Sequence, residues 1–185
     1  MWRSLRCSTD LREMALSFQF PDAFYRTASD VLARHPEIKH SWTFNEKKQR
    51  RELLIPKAEP TGFDVGVNCE TYGLYPWAGD WVGAPWDVAD PDPVEKRFEQ
   101  VLALLRILIS PESRLRRVSK GRIQAGVFVD FVTPTGWHGY LPDAGNLFAW
   151  FGERKETIYQ NFHLPRRKDF NGEDPLWYEH YKWID

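Results

Sequence analysis

Cysteine is nearly missing from this chain: Cys7 and Cys69 are the only two among 185 residues. Their spacing matches no metal-ligand or redox pair, and two cysteines cannot build the disulfide framework of a small secreted scaffold. A reducing compartment, the cytoplasm, is the expectation. Long apolar runs are missing too. The longest, Val101 to Ile109, contains Arg106 and is about half the ~20 residues that a membrane-spanning helix needs. Near the N-terminus, Met14 to Phe20 (MALSFQF) is too short and too polar for the apolar core of a signal peptide, and Pro21-Asp22 follows at once. These absences point to a soluble, unexported protein with no membrane partner. Nor does one sign of charge dominate: 25 Lys and Arg stand against 26 Asp and Glu. The chain as a whole therefore attracts neither nucleic acid nor an anionic surface, and electrostatic arguments rest on local patches.

Signatures of common chemistry are also lacking. There is no P-loop, no G-x-G-x-x-G after a strand, no G-x-S-x-G elbow and no HExxH. The five histidines, His35, His40, His138, His163 and His180, show no paired spacing, so neither a metal nor a cofactor is expected. His138 alone draws notice, because the turn Gly136-Trp137-His138-Gly139 predicts an exposed ring.

What the chain does have is aromatic surface, 15% of its residues and nine tryptophans. Three of these, Trp77, Trp81 and Trp86, fall within Thr71 to Asp87 (TYGLYPWAGDWVGAPWD), beside Tyr72, Tyr75, three glycines and two prolines. Such punctuation predicts a long loop displaying large flat rings, with no helix or long strand in it. Between Glu70 and Pro93 there are five acids (Glu70, Asp80, Asp87, Asp90 and Asp92) and no Lys or Arg. Rings bordered by acids have the composition of an interface hot spot that steers a basic protein partner, with Tyr75, Trp77, Asp80, Trp81, Trp86 and Asp87 as the contact set. The competing reading is a small glycosidase-like hydrolase, in which Glu70, Asp80 and Asp87 supply two carboxylates under a tryptophan that raises one pKa. A third places the rings in a satellite core.

The rest of the chain reads as an α+β domain over residues 22–185. Residues 1–21 form an N-terminal arm, or an upstream extension if Met14 is the true start. Asp22 to Arg34 has Phe24, Ala28, Val31 and Leu32 at helical spacing, with Asp22 as N-cap. Ile38 to Phe44 and Glu52 to Pro56 predict a hairpin, and Gly62 to Cys69 is a clean alternating strand. Asp92-Pro93-Val94-Glu95 opens a second helix, capped by Asp92, whose wide apolar stripe runs to about Ile109. Leu115 to Ser119, Ile123 to Thr133, Trp137 to Leu141 and Thr157 to Leu164 predict further strands, Ile123 to Thr133 central because it is apolar on both faces. Asp143 to Asn146 is a turn, Leu147 to Phe151 has no clear assignment, and Pro175 to Asp185 has the aromatic pattern of a short docking helix. The fold expected is one mainly antiparallel sheet of six or seven strands with two helices on one face.

A basic cluster, Arg114, Arg116, Arg117, Lys120 and Arg122, has no aromatics interleaved in sequence. It reads as a charged strand edge guarded against pairing, and nucleic acid is disfavoured as a partner. The element order resembles that of small bacterial immunity-type binding proteins, a likeness of architecture carried by no motif. It implies a non-enzymatic protein-binding module that neutralises a partner toxin.

Overall fold

The computed structural model describes residues 7–83, 85–87, 92–133, 135–140 and 153–165. The features expected at Asp143 to Asn146, Leu147 to Phe151 and Pro175 to Asp185 lie outside them. Two helices and antiparallel strands fill the described residues, so the α+β class holds. A single sheet of six or seven strands does not: the strands divide into a six-stranded and a four-stranded sheet.

The first helix, α1 (Cys7–Leu32), runs straight through Pro21. A proline inside a helix removes one backbone hydrogen bond but does not oblige the helix to start there. Asp22 is thus not an N-cap. Its carboxylate instead accepts a 2.6 Å bond from Arg51 Nε, and the Arg51 guanidinium lies over the rings of Tyr25 and Phe44. Phe20, Phe24, Ala28, Val31 and Leu32 form the buried stripe of the helix.

The first sheet is a meander in chain order: β1 (Ser41–Asn45), β2 (Arg50–Ile55), β3 (Val65–Glu70), β4 (Gly73–Ala78) and β5 (Trp81–Val82), with β6 (Trp86–Asp87) also on β4. Its inward face carries Leu53, Ile55, Val65, Val67, Cys69, Leu74 and Ala78, all fully buried. Both helices pack against this face. The second helix, α2 (Val94–Leu108), starts one residue later than expected: Pro93 occupies the cap position without a side-chain bond, and Asp92 pairs with Lys96.

From Phe98 to Leu108 almost every side chain of α2 is buried, Leu104 and Ile107 among them. The second sheet explains this. Its strands β7 (Ser113–Lys120), β8 (Ile123–Thr133), β9 (Gly136–Tyr140) and β10 (Arg154–Tyr159) are ordered β10-β7-β8-β9, and Leu115, Val127, Val129 and Phe131 join the same core. β8 is interior, as its two apolar faces require. β10 begins and ends earlier than the sequence suggests, and the residues after it do a different task. Asn161, buried, donates to the carbonyls of Phe63 (2.9 Å) and Leu108 (3.0 Å) and accepts from Phe63 N–H (3.1 Å), tying the end of α2 to the approach to β3. No described helix is long and apolar enough to cross a membrane.

Two outcomes follow from this packing. Leu105, 1% exposed, should cost about 2–5 kcal/mol on replacement by Ala in urea unfolding, while Glu99→Ala on the exposed face should change stability by less than ~0.5 kcal/mol. His163 has a buried Nε2 with no partner, and burial holds its pKa below the ordinary 6.5 against a hydrogen bond to the Pro56 backbone. The unfolded chain therefore takes up a proton that the folded one declines. Stability should fall as pH drops below 6.5 toward the lower folded value, and His163→Gln should flatten that part of a stability curve measured between about pH 7 and 5.

Candidate functional site

The stretch from Thr71 to Asp87 is not a loop. Thr71-Tyr72 is a two-residue turn between paired Glu70 and Gly73, and the chain then runs as β4, turns at Gly79-Asp80 and returns as β5 and β6. Gly79, with φ of 55°, supplies the left-handed conformation that the second turn needs. Pro76 is tolerated inside a strand for a geometric reason. Its carbonyl accepts from Gly83 N–H, so its missing N–H points to the same side, into the gap between β5 and β6 rather than toward β3. The prolines and glycines that suggest a loop are the devices of a bent sheet edge.

Alternation then sorts the expected contact residues onto two faces. Trp81 is 1% exposed and belongs to the core, which gives it no surface to offer a partner. Trp86 also faces inward: it is half-buried against the core, and its Nε1 donates to Gln100 Oε1 at 3.0 Å. Tyr75 and Trp77 stand on the opposite, outward face, both half-buried. The Trp77 indole lies flat on Gly66, where a Cβ would come within 2.4 Å of the ring and 2.3 Å of the Leu53 carbonyl. Glycine on the neighbouring strand is what lets the ring lie down. Around it are Leu54, Asn68 and Val82, the last 62% exposed and directly opposite Trp77. Asn68 Oδ1 is buried on this face without a hydrogen-bond partner.

The carboxylates are dispersed. Glu70 is at the β3–β4 turn, 3.6 Å from Arg50, whereas Asp80 is at the far end of β4, on Arg117 of the second sheet. The six residues of β4 separate them by roughly 20 Å. The hydrolase reading needs Glu70 in one cleft with either Asp80 or Asp87, and Asp80 is not near it. Glu70 and Asp87 flank Gly73 from its two neighbouring strands, their backbones about 10 Å apart across the sheet. The acids expected to steer a basic partner are in part neutralised within the chain, Glu70 by Arg50 and Asp80 by Arg117. Cys69 is fully buried, and burial raises its thiol pKa well above the ordinary value, so it is no nucleophile. His138 is exposed as expected, although it stands on strand β9 and not in a turn, with Nε2 3.2 Å from Thr135 Oγ1. Among the described residues no three metal-ligating side chains gather.

Sequence reasoning missed the second sheet's outer face. β7 is paired on both sides, so its arginines guard no edge. Aromatics do interleave with them, supplied by neighbouring strands: Arg114 lies 4.4 Å over Trp137, Arg116 4.7 Å over Phe128, and Arg117, on the inner side, 5.5 Å over Tyr159. Between the first two stands Asp130, 2% exposed, accepting from Arg114 Nε (2.9 Å) and from Arg116 Nε (2.8 Å) and Nη2 (3.0 Å). Burial pushes the Asp130 pKa up, but these bonds and charges outweigh it and hold the carboxyl below its usual value. The only signal in the sequence was an acid at the centre of an apolar strand.

Trp81 supplies the test of this arrangement. As a core residue its replacement by Ala should cost about 3–5 kcal/mol in chemical denaturation, and Gly66→Ala should also destabilise the fold because both the indole and a carbonyl must shift. No protein-family model, curated protein or solved structure matches this chain.

Proposed function

We propose that this chain is a non-enzymatic protein-binding module, of immunity type in its role of covering a partner protein, and that it takes the partner on the outward face of the six-stranded sheet. The observation that carries this is the Trp77 platform. An indole laid on Gly66, with Tyr75 on its own strand and exposed Val82 opposite, forms a flat apolar patch on the outward side of the sheet whose inner side is packed by α1 and α2. Tyr and Trp in such settings supply contact area at little cost in side-chain entropy. Since Glu70 and Asp80 are already paired within the chain, recognition on this face is by apolar and aromatic contact, with charge steering a minor contribution.

Val82→Glu tests the reading, because the side chain is exposed and its replacement leaves the core untouched. The variant should melt with the parent and lose a protein that the parent captures from the source cell. Purified, that protein should bind Val82→Glu at least about tenfold more weakly, the equivalent of ~1.4 kcal/mol. An unchanged set of captured proteins with an unchanged melting temperature would overturn the assignment of this face.

A further inference from the structure

A sheet edge presents a row of unpaired backbone N–H and C=O groups, and the edges of the two sheets differ in how they are protected. On the six-stranded sheet, β5 and β6 close the far side with two residues each, too short to hold another strand. On the four-stranded sheet, β10 carries Arg154, Lys155 and Glu156, charges that oppose pairing, and β9 contains Gly136 and Gly139, which weaken a strand. β1 has none of these guards. Its five residues, Ser41-Trp42-Thr43-Phe44-Asn45, include no charge, proline or glycine, and its register with β2 runs without a bulge. Among the described residues β2 is its only strand neighbour. Four of its five residues are exposed, Phe44 at 48%. The charges of this hairpin stand outside the strand, Lys39 before it and Glu46, Lys47 and Lys48 in the turn after it.

We propose that β1 pairs with β1 of a second copy of this chain, antiparallel about a two-fold axis at Thr43, so that the two six-stranded sheets join into one. Residues directly opposed in an antiparallel pair lie on the same face, so odd positions must meet odd ones and even positions even ones. Of the registers this allows, the axis at Thr43 overlaps all five residues of each strand. Thr43 then meets Thr43 of the other copy, Ser41 meets Asn45, and Trp42 meets Phe44 on both sides of the axis. Thr–Thr and aromatic pairs are favourable across strands. The rings are already held in place: Trp42 makes edge contacts with Phe24 and Tyr25 at 6.4 and 5.0 Å, and the Arg51 guanidinium lies 5.1 Å from the centre of the Phe44 ring. Their ordering on association therefore costs little. Ser41, Thr43 and Asn45 stay in water on the opposite face. A foreign strand would have to reproduce this pattern, whereas a second copy carries it. Five paired residues per chain make a small contact, and Lys39 meets the Lys47 side of the other copy's turn at each end, so the dimer is a weak one that forms as concentration rises. The axis runs perpendicular to the sheet, which brings both Trp77 rings to the same side.

The inference does not depend on a partner at the Trp77 face, and its test uses the full chain alone. Sedimentation equilibrium from low to high micromolar concentration should show a reversible monomer–dimer equilibrium, and amide hydrogen exchange in β1 should slow over the same range. Thr43→Lys sets two ammonium groups against each other on the axis, and position 43 is exposed in the single chain. At a concentration where both are monomeric the variant should melt with the parent, and its dimer should be weaker by about tenfold or more. Cross-linking tests the register, in a Cys7→Ser background where the remaining Cys69 is buried. Thr43→Cys should oxidise to a covalent dimer, because opposed Cβ atoms come within about 4.5–5.5 Å. Ser41→Cys should not, since its two copies stand four residues apart along the strand, roughly 14 Å. Mixing Ser41→Cys with Asn45→Cys should restore the cross-link. A monomer at every concentration, β1 amides protected equally at every concentration, a Thr43→Lys dimer as tight as the parent's, or Ser41→Cys cross-linking as readily as Thr43→Cys would each overturn the proposal.

Discussion

A helix buried on nearly all sides needs apolar surface on nearly all sides, and α2 imposes that requirement on the rest of the molecule. One sheet covers only one flank of a helix. The inner face of the first sheet packs on one flank of α2, with α1 closing over Phe98 through Phe20 and Phe24 at ring separations of 5.2 and 5.3 Å. Leu115, Val127, Val129 and Phe131 complete the same core from the second sheet. The backbone at the end of the helix then has to be satisfied in a dry environment. Ser110 and Ser113 hydroxyls cap the Ile107 carbonyl and Asn161 caps that of Leu108, so polar side chains from beyond the helix do what water does at an exposed terminus.

Among the described residues the core consumes both inner faces and leaves the outer faces and the edges open. The two outer faces differ in kind. On the first sheet an aromatic ring lies on a glycine and offers apolar area. On the second, arginines pinned by Asp130 and by ring faces offer directed donors. Each depends on cross-strand neighbours: Trp77 lies flat only because residue 66 has no Cβ, and Arg114 is held only because Asp130 and Trp137 come from the next two strands. Burying Asp130 is unfavourable by itself, and three hydrogen bonds from two cations offset that cost. Loss of either arginine would leave a buried carboxylate short of partners, which makes the cluster a cooperative unit rather than a sum of surface pairs.

Periodicity in the sequence was enough for much of this. The stripe of α2, the strict alternation of β3 from Val65 to Cys69, the two-faced apolarity of β8 and the hairpin of β1 and β2 are local patterns, because which side a residue faces is set by the repeat of its own element. The aromatic stretch was legible as unusual but misread as a loop. Its glycines and its Pro76 are compatible with a strand only where a neighbouring strand is interrupted, and no local pattern reports the neighbour.

By itself, then, the sequence determined the α+β class, the buried second helix, most strand positions and the absence of a long apolar span, all consequences of composition and of period. Tertiary structure alone decided how the strands divide into two sheets, that Trp81 turns inward while Trp77 lies on Gly66, that Glu70 and Asp80 are at opposite ends of β4, and that Arg114 meets Asp130 and Trp137. The reason is physical. Face and period are properties of one segment, but register, sheet membership and the pairing of charges are set by contacts between segments far apart in the chain, and only the assembled fold brings those together.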